Sequence, residues 1–361
     1  GINAEYGEHQ MGVKDLQKTI EENAPGAVRT TQTKDYLGKK IAIDASIMLY
    51  QFITTIVGPD GEPLKNASGE VTSHLIGLLA RCARMADAGV KPIFVFDGKA
   101  FGMKGDELQR RKDLKEANQE KANDAKQAGD MEQYAKFAKR AVKVGPAQYQ
   151  QAITLLKLLG IPCIVAPGEA EALCVALCNS GLCFGVASAD LDCVAYGAPV
   201  FIRNLATDKE CTQITFSKVL EELQFSHEQF VDLCIMLGTD YVSNIPKVGM
   251  KTAFKEIKEH CNIENVLKHN PKFEVAEDYL QKVQGARNIF SQENQLTPEQ
   301  LTEYTAVLAQ KLPFLKEGAV KFLVDEMQFE EKSATTRVEK IQKLKSAPKQ
   351  MTLTAFLKKG K

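Results

Sequence analysis

Short apolar runs, rich in β-branched and aromatic residues and separated by longer helical patterns, constrain this chain more than any other feature. Lys40–Ile43, Pro92–Phe96, Cys163–Val165 and Phe184–Ala187 show the pattern, and Val200–Ile202 and Gln213–Phe216 extend it. A strand that is apolar on both faces must be covered on both, which is the condition of a parallel sheet between helices. The runs therefore predict an α/β fold, a mostly parallel central sheet flanked by helices. At 361 residues the chain has room for one large domain or two ordinary ones, with a core that needs no staples.

Four of the runs lead into acids. Asp44 follows Ile41-Ala42-Ile43, and Asp97 follows Phe94-Val95-Phe96. Glu169 and Glu171 come after Ile164-Val165-Ala166-Pro167-Gly168, and Asp190 and Asp192 after Val186-Ala187-Ser188-Ala189. Open α/β sheets bind ligands at the carboxyl ends of their strands, so these six carboxylates are expected to converge. Asp240, in Leu237-Gly238-Thr239-Asp240-Tyr241, is a seventh candidate. One acid after a strand is ordinarily the N-cap of the next helix. Many in one cleft repel, and unpaired burial would protonate some of them. Divalent cations remove that conflict. All-oxygen ligation suits Mg²⁺ or Mn²⁺, and two such ions ~3.5–4 Å apart suit phosphodiester cleavage.

Other chemistries lack their residues. No G-x-G-x-x-G follows a strand, and neither a P-loop nor a nucleophile elbow is present. The five histidines are scattered. Cys174, Cys178 and Cys183 contain no C-x-x-C pair and read as small apolar core residues rather than zinc ligands. Nine cysteines, an odd number, fit a reducing compartment. No apolar stretch approaches the ~20 residues of a membrane span, and no signal peptide opens the chain, so no membrane role is expected.

Lys+Arg and Asp+Glu are both 46, so net charge names no partner, but its distribution is uneven. Glu331–Lys361 carries nine Lys/Arg against two acids, and Lys99–Lys143 carries twelve against eight. A charge run is ordinarily a solvated helix face. Lys104–Lys143 breaks the strand–helix alternation and reads as two charged helices standing off the sheet as an arch. Residues 227–260 read as a helix-hairpin-helix around Ile245-Pro246-Lys247-Val248-Gly249. The chain thus divides into an N-terminal extension, 1–10, which precedes Met11 and reads as an expression remnant, a core, 11–345, and a basic tail, 346–361. Within the core lie an N-region, 11–103, the arch, 104–143, an internal region, 144–260, and a C-terminal helical part, 261–345. The tail is expected to be disordered until something binds it.

Five motifs stand in a recognisable order. Ile41-Ala42-Ile43-Asp44-Ala45-Ser46, Val95-Phe96-Asp97-Gly98-Lys99, Ala166-Pro167-Gly168-Glu169-Ala170-Glu171-Ala172, Asp190-Leu191-Asp192-Cys193 and Leu237-Gly238-Thr239-Asp240-Tyr241 resemble the signatures of the flap endonucleases. The resemblance runs from Met11 to about Lys345 and is weakest over 270–316. It implies that Asp44, Asp97, Glu169 and Glu171 hold a first Mg²⁺ and Asp190, Asp192 and Asp240 a second, with Mn²⁺ as a substitute. It also implies that Lys104 and Arg111, seven residues apart on one helical face, neutralise charge on the scissile phosphate. Tyr50 matches a base-stacking tyrosine, against the simpler reading of a core aromatic. Gly249 and Lys251 match a hairpin that grips a duplex backbone without reading sequence. Arg81 and Arg84 share a helical face suited to template phosphates, or to plain solvent. Gln350-Met351-Thr352-Leu353-Thr354-Ala355-Phe356-Leu357 fits the sliding-clamp peptide, with Gln350, Leu353, Phe356 and Leu357 as its anchors.

The sequence also departs from the family pattern. Asp15 and Lys247 stand where glycines are common, Ala189 where Glu is usual, and Ala100-Phe101 where a Pro-Pro is usual. None of these removes an expected metal ligand. The resemblance implies a Mg²⁺-dependent, structure-specific 5′-flap endonuclease and 5′→3′ exonuclease acting on branched DNA in lagging-strand maturation and base-excision repair. It further implies a monomer that partners a PCNA-type sliding clamp in the nucleus, with nucleolus and mitochondrion as further locations. A gap nuclease, a PIN-type ribonuclease and a catalytically silent junction-binding scaffold that recruits the clamp are the alternatives. Neither of the first two accounts as well for the clamp motif.

Overall fold

The computed structural model describes residues 13, 15–98, 144–292 and 294–347. The extension 1–10, the arch 104–143 with Lys104 and Arg111, and the motif from Gln350 to Leu357 lie outside the described residues. In chain order the elements are α1 (Leu16–Asn23), β1 (Val28–Thr31), β2 (Lys40–Asp44), α2 (Ala45–Thr55), α3 (Ser73–Ala88), β3 (Lys91–Phe96), α4 (Pro146–Leu158), β4 (Cys163–Val165), α5 (Ala170–Asn179), β5 (Gly185–Ala187) and α6 (Asp192–Ala195). They continue with β6 (Val200–Arg203), β7 (Cys211–Thr215), α7 (Phe216–Leu223), α8 (His227–Leu237), α9 (Met250–His260), α10 (Ile263–His269), α11 (Tyr279–Gln292), α12 (Pro298–Ala309), α13 (Lys316–Lys321) and α14 (Glu331–Ser346). Two compact units emerge. One gathers residues 1–32, 40–43 and 171–305, and the other 33–39, 44–170 and 306–361.

All six apolar runs are strands, and the α/β architecture follows. In the first unit the strands are ordered β1-β7-β6-β5-β2. β2 runs parallel to β5, with Ile41 opposite Gly185 and Ile43 opposite Ala187, and β5 runs parallel to β6. The other edge is antiparallel, β7 pairing with both β6 and β1. Only a short loop separates β6 from β7, too little chain for the crossover that a parallel partner requires. β1 had no apolar run to announce it, because Val-Arg-Thr-Thr is mostly polar and lies at the edge.

Helices of this unit follow their own signals. On α7, Phe216, Val219 and Leu223 recur at helical spacing and are buried. Ser226 caps α8, its Oγ accepting from Gln229 N while Gln229 Oε1 accepts from Ser226 N. The helix stops at Gly238, whose φ of 104° suits glycine alone. A charge network joins three helices. Arg287 of α11 donates from Nε and Nη2 to the two oxygens of Asp232 on α8, each at 2.7 Å. The same guanidinium reaches Glu264 of α10 at 2.7 and 2.8 Å, and Ile263 N donates to Asp232 Oδ2 at 3.0 Å. Asp232 is 2% exposed, so its charge depends on this bidentate partner. The same guanidinium holds Glu264 below the usual carboxylate range.

In the second unit β3 and β4 are parallel, Phe94 opposite Cys163 and Phe96 opposite Val165. α2 packs on α3 at Gly77, where an added Cβ would lie 2.3 Å from the Phe52 ring. α14 packs along α3, and its last turn reaches the residues that follow α4. There Lys345 Nζ donates to Leu159 O at 2.9 Å and Gly160 O at 3.1 Å, and sits 5.6 Å from the Phe314 ring centroid. A lysine from one helix thus satisfies carbonyls that end another. Burial lowers the pKa of that amine.

Candidate active site

Three of the seven acids lie in the second unit. Asp44 ends β2 and is 2% exposed, and its Oδ1 accepts from Ile47 N at 3.2 Å, capping α2. Asp97 follows β3, half-buried. Its backbone N–H donates to Ser46 Oγ at 3.0 Å, and its Oδ1 accepts from Ala170 N at 2.7 Å, where α5 begins. The turn after Asp97 is tight. Gly98 N donates to Gly168 O, and a Cβ at Gly98 would meet the Ala166 carbonyl oxygen at 1.9 Å, so no other residue fits. Glu169 is half-buried in the loop before α5. The N-cap reading of a strand-end acid therefore holds for Asp44, whereas Asp97 serves the first N–H of a helix 73 residues further on; in each, one carboxylate oxygen is occupied.

The other four acids belong to the first unit. Asp190 and Asp192 are 6% and 3% exposed. Asp190 N donates to Ser188 Oγ at 2.9 Å, and Asp190 Oδ1 accepts from Asp192 N at 2.8 Å, so the loop after β5 folds on its own side chains. Asp192 Oδ1 accepts from the backbone N–H of Val13 at 2.9 Å, which ties the start of the described chain to this acid. Glu171 is half-buried in the first turn of α5, and Asp240 is exposed on the loop after α8. Among the described residues no three His, Cys, Asp or Glu side chains stand close enough together to hold one ion. Within each unit the donors are all carboxylate oxygen, two of the most buried being supported by backbone N–H groups. That chemistry fits a hard divalent cation.

Ile245–Gly249 forms the expected tight turn between α8 and α9. Val248 N donates to Ile245 O at 3.1 Å, Ile245 and Val248 are buried, and Pro246, Lys247 and Gly249 are exposed. Gly249 caps α9, with Lys251 exposed in its first turn. Exposed N–H groups at such a turn suit phosphate oxygens. Lys247 has φ 64° and Asp15 has φ 54°, so both departures from expected glycines sit in left-handed backbone, a strain of ~1–2 kcal/mol each.

Tyr50 is half-buried on α2. Arg81 of α3 lies over the Phe52 ring, 5.3 Å from its centroid, while Arg84 is exposed. Cys174, Cys178 and Cys183 are buried, and the Cys178 thiol is pushed up by its bond to Cys183 and by burial. Sequence reasoning missed the Val13 amide, the Arg287 network and an aromatic group beside Asp240. Tyr196 Oη and Tyr241 Oη are 3.1 Å apart, and Phe290 packs edge-on against both rings. Only the Tyr241 next to Asp240 carried a local signal.

Among the described residues no helix is long and apolar enough to cross a membrane. Residues 11–118 match the XPG N-terminal domain and residues 160–240 the XPG I-region. Flap endonuclease 1 of Ostreococcus lucimarinus is 42% identical over 340 residues, spanning 92% of this chain and 85% of that protein. Flap endonuclease 1-A of Sorghum bicolor is 39% identical over 354 residues, spanning 96% and 91%. Among solved structures, flap endonuclease-1 from Methanococcus jannaschii has a TM-score of 0.66 at 32% identity, covering 88% of this chain and 96% of that one. The catalytic core of Rad2 in complex with DNA substrate has a TM-score of 0.64 at 18% identity, covering 91% and 100%, a likeness of fold. The motifs, the two matched regions and relatives of this identity and coverage agree: the chain belongs to the flap endonuclease family of XPG-type nucleases.

Proposed function

We propose that the chain is a Mg²⁺-dependent, structure-specific 5′ nuclease that removes 5′ flaps from branched DNA by phosphodiester hydrolysis, in lagging-strand maturation and base-excision repair. The observation that carries the reading is the set of strand-end acids in family order, with Asp190 and Asp192 buried and fixed by backbone N–H groups. Asp44, Asp97, Glu169 and Glu171 are assigned to one ion and Asp190, Asp192 and Asp240 to another by family resemblance. When bound, the ions supply an activated water and charge stabilisation at the leaving oxygen.

The protein's own groups do the rest. Backbone donors at Val13, Ile47, Asp192 and Ala170 hold one oxygen of Asp192, Asp44, Asp190 and Asp97, which leaves each carboxylate oriented before any ion arrives. Lys104 and Arg111 neutralise the scissile phosphate. The hairpin at 245–249 with Lys251 grips duplex backbone, Arg81 and Arg84 contribute cationic groups, and Tyr50 offers a ring to a base. Specificity is for junction shape, since phosphate contacts carry no sequence information. The motif at Gln350–Leu357 docks a PCNA-type clamp, the nuclease itself is a monomer, and its place is the nucleus, with nucleolus and mitochondrion as further sites.

Cleavage of a 5′-labelled flap duplex with Mg²⁺ and with chelator tests the reading. A product cut at the junction, lost with chelator and lost in Asp190→Ala, is the expected result. Tight junction binding with no cutting would sink it in favour of a scaffold that only recruits the clamp.

A further inference from the structure

Asp240 is exposed on a loop, a poor platform for a group that must be placed to within a fraction of an ångström. The residues on either side of it are held unusually well. Gly238 turns the chain out of α8 with φ 104°. Thr239 N donates to Val242 O at 2.9 Å, and Thr239 Oγ1 accepts from Tyr241 N at 3.2 Å and Val242 N at 3.1 Å. Val242 is 2% exposed and anchors the far side. These bonds give the loop a shape but do not tie it to any other element.

Tyr241 makes that tie. Its hydroxyl is 3.1 Å from the hydroxyl of Tyr196, and its ring packs edge-on against Phe290 of α11, 5.7 Å between centroids at 77°. Tyr196 is fully buried, meets Phe290 at 4.9 Å and 66°, and closes α6 through a bond from its N–H to Asp192 O at 2.9 Å. Its own carbonyl accepts from Asn294 Nδ2 at 2.8 Å. Asp192 thus begins the single turn of helix that Tyr196 ends, and Asp240 precedes the tyrosine that Tyr196 meets. Tyr196, Phe290 and Tyr241 link the segments that carry two acids 48 residues apart in sequence, all within the first unit.

We infer that Tyr241, through Tyr196 and Phe290, is a positioning residue that fixes Asp240 relative to Asp192 for binding a divalent cation. This rests on the assignment of Asp192 and Asp240 to a shared ion. Edge-to-face rings set the distance between loop and helix, and the hydroxyl pair, in which one O–H donates and the other oxygen accepts, sets their rotation. Losing that bond leaves the ring packing intact and frees the loop to turn, so metal affinity falls while the fold survives.

The test is Mn²⁺ binding to the full chain, followed by electron paramagnetic resonance without DNA, for wild type, Tyr241→Phe, Tyr196→Phe, the double variant and Asp240→Asn. Tyr241→Phe is expected to raise the Mn²⁺ concentration for half-saturation roughly fivefold, the effect of one net hydrogen bond. Tyr196→Phe should match it, and the double variant should be no worse than either, because both remove the same bond. Cleavage of flap duplex by Tyr241→Phe should recover at high Mg²⁺, with flap affinity in chelator unchanged. A purely structural role would lower the melting temperature and leave the half-saturation point where it was. If Asp240→Asn weakens Mn²⁺ binding and Tyr241→Phe does not, the positioning role is wrong and the metal assignment stands. If Asp240→Asn binds Mn²⁺ like wild type, the metal assignment itself fails and takes the positioning role with it.

Discussion

Acid should loosen the second unit through one buried imidazole. His74 of α3 is fully buried, and its Nε2 donates to Gln151 Oε1 of α4 at 2.9 Å, while Nδ1 has no hydrogen-bond partner. A second proton would have to enter at Nδ1, adding a charge and an unanswered donor to an apolar core. Burial therefore lowers the pKa from 6.5 to about 4, with the Gln151 bond opposing. Between those values the unfolded chain holds more protons than the folded one. The contribution to stability is complete above the unfolded value, is lost as pH falls from there toward the folded value, and is flat below it. The full span is worth roughly 3 kcal/mol, and ~2.5 kcal/mol of it is gone at about pH 4.5. Urea denaturation followed by circular dichroism, at about pH 7.5 and about pH 4.5, measures it for wild type and His74→Gln. Wild type should lose ~2.5 kcal/mol more than the variant between the two conditions. Equal losses in the two proteins would refute the reasoning.

Arg287→Met strands the charge of Asp232 in the core and should cost ~3–5 kcal/mol in urea denaturation, whereas Glu264→Gln, at the exposed end of the same network, should cost under ~1 kcal/mol. Lys345→Ala leaves the carbonyls of Leu159 and Gly160 without their donor and should lower stability by ~1–2 kcal/mol. Gly77→Ala pushes a methyl into the Phe52 ring and should cost ~1–3 kcal/mol, with Phe52→Leu restoring part of the loss in the double variant; a neutral Gly77→Ala would mean the helices separate freely. Asp190→Ala should reduce flap cutting to the level seen with chelator while flap binding, read by fluorescence anisotropy, stays near wild type.

The strands were legible because burial on both faces leaves runs such as Ile41-Ala42-Ile43 with almost no other reading. The acids were legible because they stand at fixed offsets after those runs. β1 was not, since an edge strand with Arg29 and Thr30 open to solvent needs no apolar run. The Arg287–Asp232 pair is 55 residues apart, and the Tyr196–Tyr241 pair 45, and nothing local in either segment names its partner. Val13 was invisible for a different reason. It serves through its backbone N–H, a group every residue but proline carries. Lys247 and Asp15 show the converse. The departures from glycine were plain in the sequence, but their cost became definite only with the sign of φ.

The packing of α14 along α3 bears on how this protein is made. The second unit draws on residues 44–170 and then waits for residues 306 onward, with the whole of 171–305 belonging elsewhere. During synthesis its early helices, α2 and α3, leave the ribosome long before the helix that covers α3 exists. Until α14 arrives, the buried face of α3 has no cover from it, and Leu159 and Gly160 have no lysine. The first unit has all of its residues translated before α14. A nascent chain therefore passes through a stage with every residue of one unit synthesised and the other still lacking the helix that covers α3.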